Sequence, residues 1–317
     1  MPQCFNCQSI ATRMDCGHPR CEACFSDRFC ECTRCGVIVP IDELSEDDGL
    51  CSECYTPTLS NLHEADYKPR PIYYGDAHDA PFLGIESENE NESGIGDDPL
   101  NGLTTAGCYL KEDGSLESGM EIVTHPATWQ YISSHRQEWN AILAHLRFNG
   151  WQSHNGGRCG LHIHISRKNL TSIDIYKIQK LIYEHADFSL RLSRRSAGSL
   201  RQWSTTSVAS KDFAALITKK MNAGRYLALN TNPTHTVELR LFRGTLKQSA
   251  FWASVEFAAA LTPYVKSTSI AHISPTSLAA WVEARRKTYQ NLHERLQQIL
   301  GSPIVLQPEE EGVDVCV

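Results

Sequence analysis

Ten of the chain's thirteen cysteines fall before residue 55. They come as Cys4-x2-Cys7, Cys16-x-His18-x2-Cys21-x2-Cys24, Cys30, Cys32-x2-Cys35 and Cys51-x2-Cys54. A C-x2-C pair brings two thiolates to one tetrahedral zinc from a tight knuckle, and a second pair from a distant turn closes the site. This repeated pairing, with no basic-then-apolar leader after Met1-Pro2-Gln3, points to metal rather than disulfides. The N-terminal segment is therefore expected to be a small zinc-held module, because so short a piece cannot build a core of its own.

The zinc partition has two readings. In a ribbon, Cys32, Cys35, Cys51 and Cys54 hold one zinc and Cys4, Cys7, Cys21 and Cys24 a second. Cys16, His18 and Cys30, with His63 as a candidate fourth ligand, are left for a third. A RING-like cross-brace instead pairs Cys16 and His18 with Cys32 and Cys35, but strands Cys51 and Cys54. The ribbon is preferred, and since protein ligands fill every position, these zincs are read as structural.

Beyond a proline-punctuated stretch, several segments alternate with the period of two that marks a half-buried strand. Phe82 to Glu90 sets Leu83 and Ile85 against Glu86, Glu88 and Glu90. Gly160 to Ser166 sets Leu161, Ile163 and Ile165 against His162, His164 and Ser166. Thr236 to Arg243 sets Val237, Leu239 and Leu241 against Glu238 and Arg240. Met120 to Thr124 carries Glu121, and Arg225 to Asn230 reads as a further strand. A row of carboxylates on one strand face repels itself unless cations neutralise it, and hard oxygen donors favour Mg²⁺ or Mn²⁺. Plainer readings are a solvated acidic edge strand and a cross-strand ion pair.

Helical spacing is found over residues 127–148, from a Ser172 cap to about Leu192, and over 248–263 and 275–300. The expected class is α+β, an antiparallel sheet with a concave polar face and helices behind it. The expected organisation is a zinc module at 1–56, an irregular linker at 57–80, a catalytic domain at 81–300 and an acidic, disordered tail at 301–317. Arg191, Arg194, Arg195 and Arg201 cluster around a Ser/Gly-rich loop, either a solvated surface or a mobile anion-binding loop. Residues 1–55 carry ten acidic against four basic side chains, which disfavours a nucleic-acid clamp. No apolar run reaches the roughly 20 residues of a membrane span, so a soluble, cytoplasmic protein is expected.

Four of these motifs, in order over about residues 80–265, resemble the amidoligase family, related to glutamine synthetase and the glutamate–cysteine ligases. They are Gly84-Ile85-Glu86-Ser87-Glu88, Asp113-Gly114-Ser115 followed by Glu121-Ile122-Val123, Cys159 to Ser166, and Thr236 to Leu246. The resemblance implies a glutamine synthetase-like fold and an ATP-dependent carboxylate–amine ligase that forms an amide or isopeptide bond through an acyl phosphate. It implies Glu86, Glu88, Glu121, His162 and Glu238 as ligands for Mg²⁺ or Mn²⁺, with Arg240 and Arg243 on the transferring phosphoryl group. His164, Ser166, Arg225 and Asn230 are the candidates for contacts to nucleotide or substrate. Implied partners are ATP, a carboxylate and an amine carried by an amino acid, peptide or protein. One departure is Ser87, where the family has an apolar residue, so the back of that strand is expected to be less buried. The zinc module lies outside the resemblance and is expected to recognise a protein partner.

Two other classes remain open on the residues alone. A metal-dependent hydrolase could use the same His and Glu cluster with water as nucleophile, and a zinc adapter would use the larger domain as a scaffold. A thiol mechanism at Cys159 lacks an orienting partner.

Overall fold

A computed structural model describes residues 2–301, except 5, 8, 16–17, 34–35, 42–43, 45–48, 50, 52–61, 77–80, 97–98, 101–102, 104–106, 155–157, 219–223 and 225. The N-terminal segment holds two small antiparallel pairs. These are β1 (Arg13–Asp15) with β2 (His18–Arg20), and β3 (Phe29–Glu31) with β4 (Ile38–Pro40), the short α1 (Glu22–Ser26) lying between them in sequence. The remainder mixes helix and sheet, as the α+β reading expects. Its strands are β5 (Leu62–His63), β6 (Phe82–Glu90), β7 (Cys108–Lys111), β8 (Gly119–Thr124), β9 (Ala127–Thr128), β10 (Gly160–Ser166), β11 (Leu229–Asn230) and β12 (Thr236–Arg243). Its helices are α2 (Trp129–Ser134), α3 (Arg136–Phe148), α4 (Ser172–Tyr183), α5 (Ala186–Ser193), α6 (Ala197–Trp203), α7 (Phe213–Ile217), α8 (Gln248–Ser267), α9 (Pro275–Glu283) and α10 (Gln290–Leu300).

The sheet runs β11-β12-β10-β6-β8-β7-β5, with β9 also on β6. Every pairing is antiparallel except β5 on β7. The period-two reading fixes its back face: Leu83, Ile85, Met120, Ile122, Leu161, Ile163, Ile165, Val237, Leu239 and Leu241 are all buried in one continuous core. Ser87 belongs to the same face and is 1 % exposed, so the expected loss of burial there does not occur. Beside it Asn89 is also buried and turns its amide to the Ser87 carbonyl at 2.7 Å.

β12 does not keep its alternation to the end. Its pairing with β10 slips between Leu161 and Ile163, because Leu161 faces Phe242 whereas Ile163 faces Leu239. His162 thus opposes two residues, Arg240 and Leu241, a β-bulge. Past it Phe242 sits opposite Leu161 and joins the core, and Arg243 sits opposite Gly160.

The central helix α8 is apolar nearly all round and buried along most of its length. Its one buried acid, Glu256, takes hydrogen bonds from Arg136 (2.8 Å), Asn291 (2.9 Å) and the Leu292 amide (2.8 Å), so the charge is paired where it could not otherwise persist.

Several sequence expectations shift locally. The 127–148 helix begins as strand at Ala127–Thr128 and breaks at His135, and the helix expected to run to Leu192 breaks at Glu184 and His185. Its cap is Thr171, in a capping box with Asp174, rather than Ser172. α8 runs through Pro263 to Ser267, and the 275–300 helix is two helices. Leu62–His63, in the stretch read as an irregular linker, forms a strand of the sheet. The strand expected over 225–230 is confined to Leu229–Asn230, and the tail from residue 302 lies outside the described residues.

Candidate active site

Cross-strand register assembles the polar face. His162 lies directly opposite Glu86 and His164 opposite Glu238, while Glu88 lies opposite Glu121, Glu121 opposite Lys111 and Glu238 opposite Asn230. Residues so paired have Cβ atoms roughly 5 Å apart, so a polar row crossing six strands becomes one cluster. His162 Nδ1 stands 3.5 Å from both Glu86 and Glu88 and 4.0 Å from Glu238. His164 Nε2 lies 3.2 Å from Glu86, and its Nδ1 lies 3.0 Å from the Thr236 hydroxyl.

Each acid has a distinct neighbourhood. The Gly160 amide donates to Glu88. Glu238 is buried and takes hydrogen bonds from Asn230 Nδ2 at 2.7 Å and Arg240 Nη1 at 2.6 Å. Glu121, also buried, pairs with Lys111 Nζ at 3.2 Å.

The electrostatics follow from burial and like charge. Burial and the charges of Glu86 and Glu88 push the Glu121 carboxyl up to about 7, with Lys111 opposing. Burial would raise Glu86 too, but hydrogen bonds to His162 and His164 outweigh it and hold this carboxyl well below the ordinary range. Burial opposes charge on both histidines. The charge of Glu88 and the contact to Glu86 nevertheless raise His162, and Glu86 raises His164.

Three overlapping groups bring one ligand atom per residue within 4.8 Å of one another: Glu86 with Glu121 and His162, Glu86 with His164 and Glu238, and Glu88 with Asp113 and Glu121. Carboxylate oxygens with one imidazole suit Mg²⁺ or Mn²⁺. A pocket of about 200 Å³ opens over them, walled by Lys111, Asp113, Arg158, Arg195, Trp203, Tyr226 and Arg240. Arg195 is 6 % exposed and donates to the Phe242 carbonyl at 2.9 Å, so this arginine of the Ser/Gly-rich loop is fixed in the pocket wall, not mobile. Burial lowers its pKa to about 10. The Arg240 guanidinium lies 5.9 Å from the Tyr226 ring, which meets Trp203 edge-on at 5.8 Å.

Of the residues singled out from sequence, Glu86, Glu88, Glu121, His162 and Arg240 line this pocket, and His164, Glu238 and Asn230 adjoin it. Ser166 does not: its hydroxyl accepts from the Phe82 amide and donates to Asn169. Arg243 lines a different cavity, past the bulge, and Arg225 lies outside the described residues. Asp113 stood in the sequence within the Asp113-Gly114-Ser115 motif before the Glu121 strand, but was given no role in the site; the structure brings it beside Glu88 and Glu121. Nothing in the local pattern marked Arg158, Trp203 or Tyr226. Cys159 is fully buried, and burial raises its thiol well above the ordinary range, which argues against a thiol nucleophile.

Residues 87–262 match the model of a family described as "putative amidoligase enzyme". The chain belongs to this amidoligase family. That description names a ligase, and the match contains Glu88, Glu121, His162, Glu238 and Arg240, while Glu86 lies one residue before it. No curated protein matches the chain.

In the N-terminal segment the sulfurs of Cys4, Cys7, Cys21 and Cys24 gather within 4.8 Å of one another, the set expected for one zinc of the ribbon reading. A hydrogen bond from the Cys21 backbone brings the Cys4 thiol down to about 6, whereas Cys7 and Cys21 push Cys24 up to about 12. Four thiols held this close suit a soft, tetrahedral cation. Cys32 and Cys51 are buried together, and the Cys51 amide donates to Cys32 Sγ at 3.3 Å. Cys16, Cys35, Cys54 and the His18 side chain lie outside the described residues, and Cys30 is exposed. No helix among the described residues is long and apolar enough to cross a membrane.

Proposed function

We propose that the chain is an ATP-dependent carboxylate–amine ligase with a glutamine synthetase-like catalytic domain. The observation that carries the reading is the pocket in which Glu86, Glu88, Glu121 and His162 meet Arg195 and Arg240. In the first step a substrate carboxylate oxygen attacks the γ-phosphorus of ATP, the bond to the ADP oxygen breaks, and an acyl phosphate results. In the second an amine nitrogen attacks the acyl carbon, phosphate leaves, and the nitrogen gives up a proton to yield the amide. The first step spreads negative charge over the phosphoryl oxygens, the second builds it on the acyl oxygen and the departing phosphate, and fixed cations stabilise both.

Glu86, Glu88, Glu121, His162 and Glu238 are assigned as ligands for Mg²⁺ or Mn²⁺, with Asp113 added by its place beside Glu88 and Glu121. A bound cation of this kind supplies charge neutralisation at phosphate oxygens. Arg240 is held in place by Glu238 and Arg195 by the Phe242 carbonyl, so both guanidinium groups are oriented before any ligand arrives. Asn230 acts through Glu238, fixing the carboxylate that Arg240 grips. Trp203 and Tyr226 offer aromatic faces at the rim, suited to a nucleotide base or an apolar part of the substrate. The zinc module is assigned a protein-recognition role on its acidity. The reading is tested by ATP turnover with Mg²⁺ or Mn²⁺ against pools of amino acids and amines, with mass spectrometry for an amide product. Turnover that needs both a carboxylate and an amine, and is lost in Glu238→Gln, supports it; phosphate release with water alone supports a hydrolase.

A further inference from the structure

The described surface holds a second, larger cavity, of about 580 Å³, with the opposite charge. It lies where the end of β12, the start of α8 and the face of α10 come together, and no residue lining it lines the carboxylate pocket. Arg147, Arg194, Arg243, Lys247 and Arg295 border it against one acid, Glu294.

None of these five cations forms an ion pair among the described residues. Arg243 makes no side-chain hydrogen bond or ion pair among the described residues, and its Nε is buried. Arg295 Nε is likewise buried without a partner, its other nitrogens meeting the Arg191 carbonyl and the Gln298 side chain. Arg194 donates to the Ala250 carbonyl at 2.6 Å and is the only non-glycine residue of the described chain with a left-handed backbone, at φ 60°. Such strain persists where surrounding contacts impose it, and it gathers at ligand sites. Burial, together with the crowding of Arg295 and Arg243, lowers its pKa to about 10.

The 20-residue helix α8 aims its N-terminus at the same space, with Lys247 as an N-cap that supplies no side-chain hydrogen bond and no acid in the first turn. Unsatisfied amides and the positive end of a long helix favour an anion. Guanidinium groups converging from α3, the end of α5, β12 and α10 favour phosphate oxygens, which accept several charge-assisted hydrogen bonds at once.

We infer that this cavity is a second ligand site, for a small molecule carrying a phosphate or pyrophosphate group, distinct from the site of amide formation. The full-length protein would be titrated with inorganic pyrophosphate by calorimetry in EDTA, so that neither divalent cation nor amine is present and the ligase reading is not at issue. Saturable binding is expected, weakened about tenfold or more in Arg295→Gln, as befits a lost charge-assisted contact. Ser249→Asp places a carboxylate in the first turn of α8, which suits the helix but repels the ligand, so binding should be lost from a folded protein. Arg240→Gln, in the other pocket, should leave binding unchanged. Absence of saturable binding, or loss in Arg240→Gln with retention in Ser249→Asp, would overturn the inference. So would citrate binding as tightly as pyrophosphate, since a tricarboxylate would then serve as well as a phosphate.

Discussion

Replacing Glu86 with glutamine keeps the size of the side chain and removes a charge that two imidazoles share. Its two oxygens lie 3.2 Å from His164 Nε2 and 3.5 Å from His162 Nδ1, contacts that outweigh burial and hold the carboxyl well below the ordinary range. A hydrogen bond to a charged group contributes about 1.5–3 kcal/mol, and only the shorter of the two contacts has good length, so the metal-free variant should lose about 2 kcal/mol. A depressed carboxyl pKa stabilises the fold above the unfolded value of about 4.3, and that contribution is lost as pH falls through the folded value. Because the same contacts raise both histidines above their ordinary 6.5, the gap between wild type and Glu86→Gln should be full at about pH 5.5–6, narrow below pH ~4, and narrow again as pH rises through the folded histidine values.

Glu86 also belongs to two of the three candidate ligand groups. Residues that only support a ligand change metal affinity by roughly 10- to 100-fold, so losing a ligand itself should cost at least the upper figure, about 2.7 kcal/mol. The assays are urea denaturation in EDTA and titration of Mn²⁺ followed by the paramagnetic signal of the free ion. An unchanged denaturation midpoint, with Mn²⁺ affinity inside about threefold of wild type, would refute both halves of this reasoning.

Three further outcomes are expected. Cys24→Ser should remove one equivalent of bound zinc, measured by atomic absorption, because it breaks the four-thiol group of Cys4, Cys7, Cys21 and Cys24. Burial lowers His125 to about 4, so the folded protein refuses a proton that the unfolded chain accepts; this group costs stability as pH falls from about 6.5 towards 4, about 2 kcal/mol by pH 5, and His125→Gln should remove that share of the slope in denaturation curves. Gly160→Ala would place a methyl 2.4 Å from His162 Nε2, so the ring must move, and Mn²⁺ affinity should fall by roughly tenfold or more, as for a misoriented ligand.

The faces of the strands were legible because one rule decides them. Leu83 and Ile85, then Leu161, Ile163 and Ile165, follow a period of two that only a half-buried strand explains, and the carboxylates and imidazoles opposite them follow necessarily. Register was not legible. That Glu88 faces Glu121, and Glu121 faces Lys111, is decided by how β6, β7 and β8 pair, and the Asp113-Gly114-Ser115 motif by itself cannot show that Asp113 joins the acids. The two-residue β5 left no mark because its parallel pairing to β7 comes from a residue pair too short to show a period. The helix breaks at His135 and Glu184 interrupt apolar spacing that continues on both sides, so the pattern alone predicts one helix in each place. Arg195 was visible as one of several arginines near a flexible-looking loop. Its burial in the pocket wall depends on a bond to the Phe242 carbonyl, far away in sequence.

The extra residue in β12 works as a change of phase. Before it, even-numbered side chains such as Glu238 and Arg240 belong to the acidic pocket; after it, Phe242 turns to the core and Arg243 opens into the basic cavity. One strand thereby addresses two compartments of opposite charge with no loop between them. Three residues of extended chain separate the two arginine backbones, roughly 10 Å. The spacing between whatever Arg240 holds and whatever Arg243 holds is thus a property of a rigid ladder, set when the sheet forms.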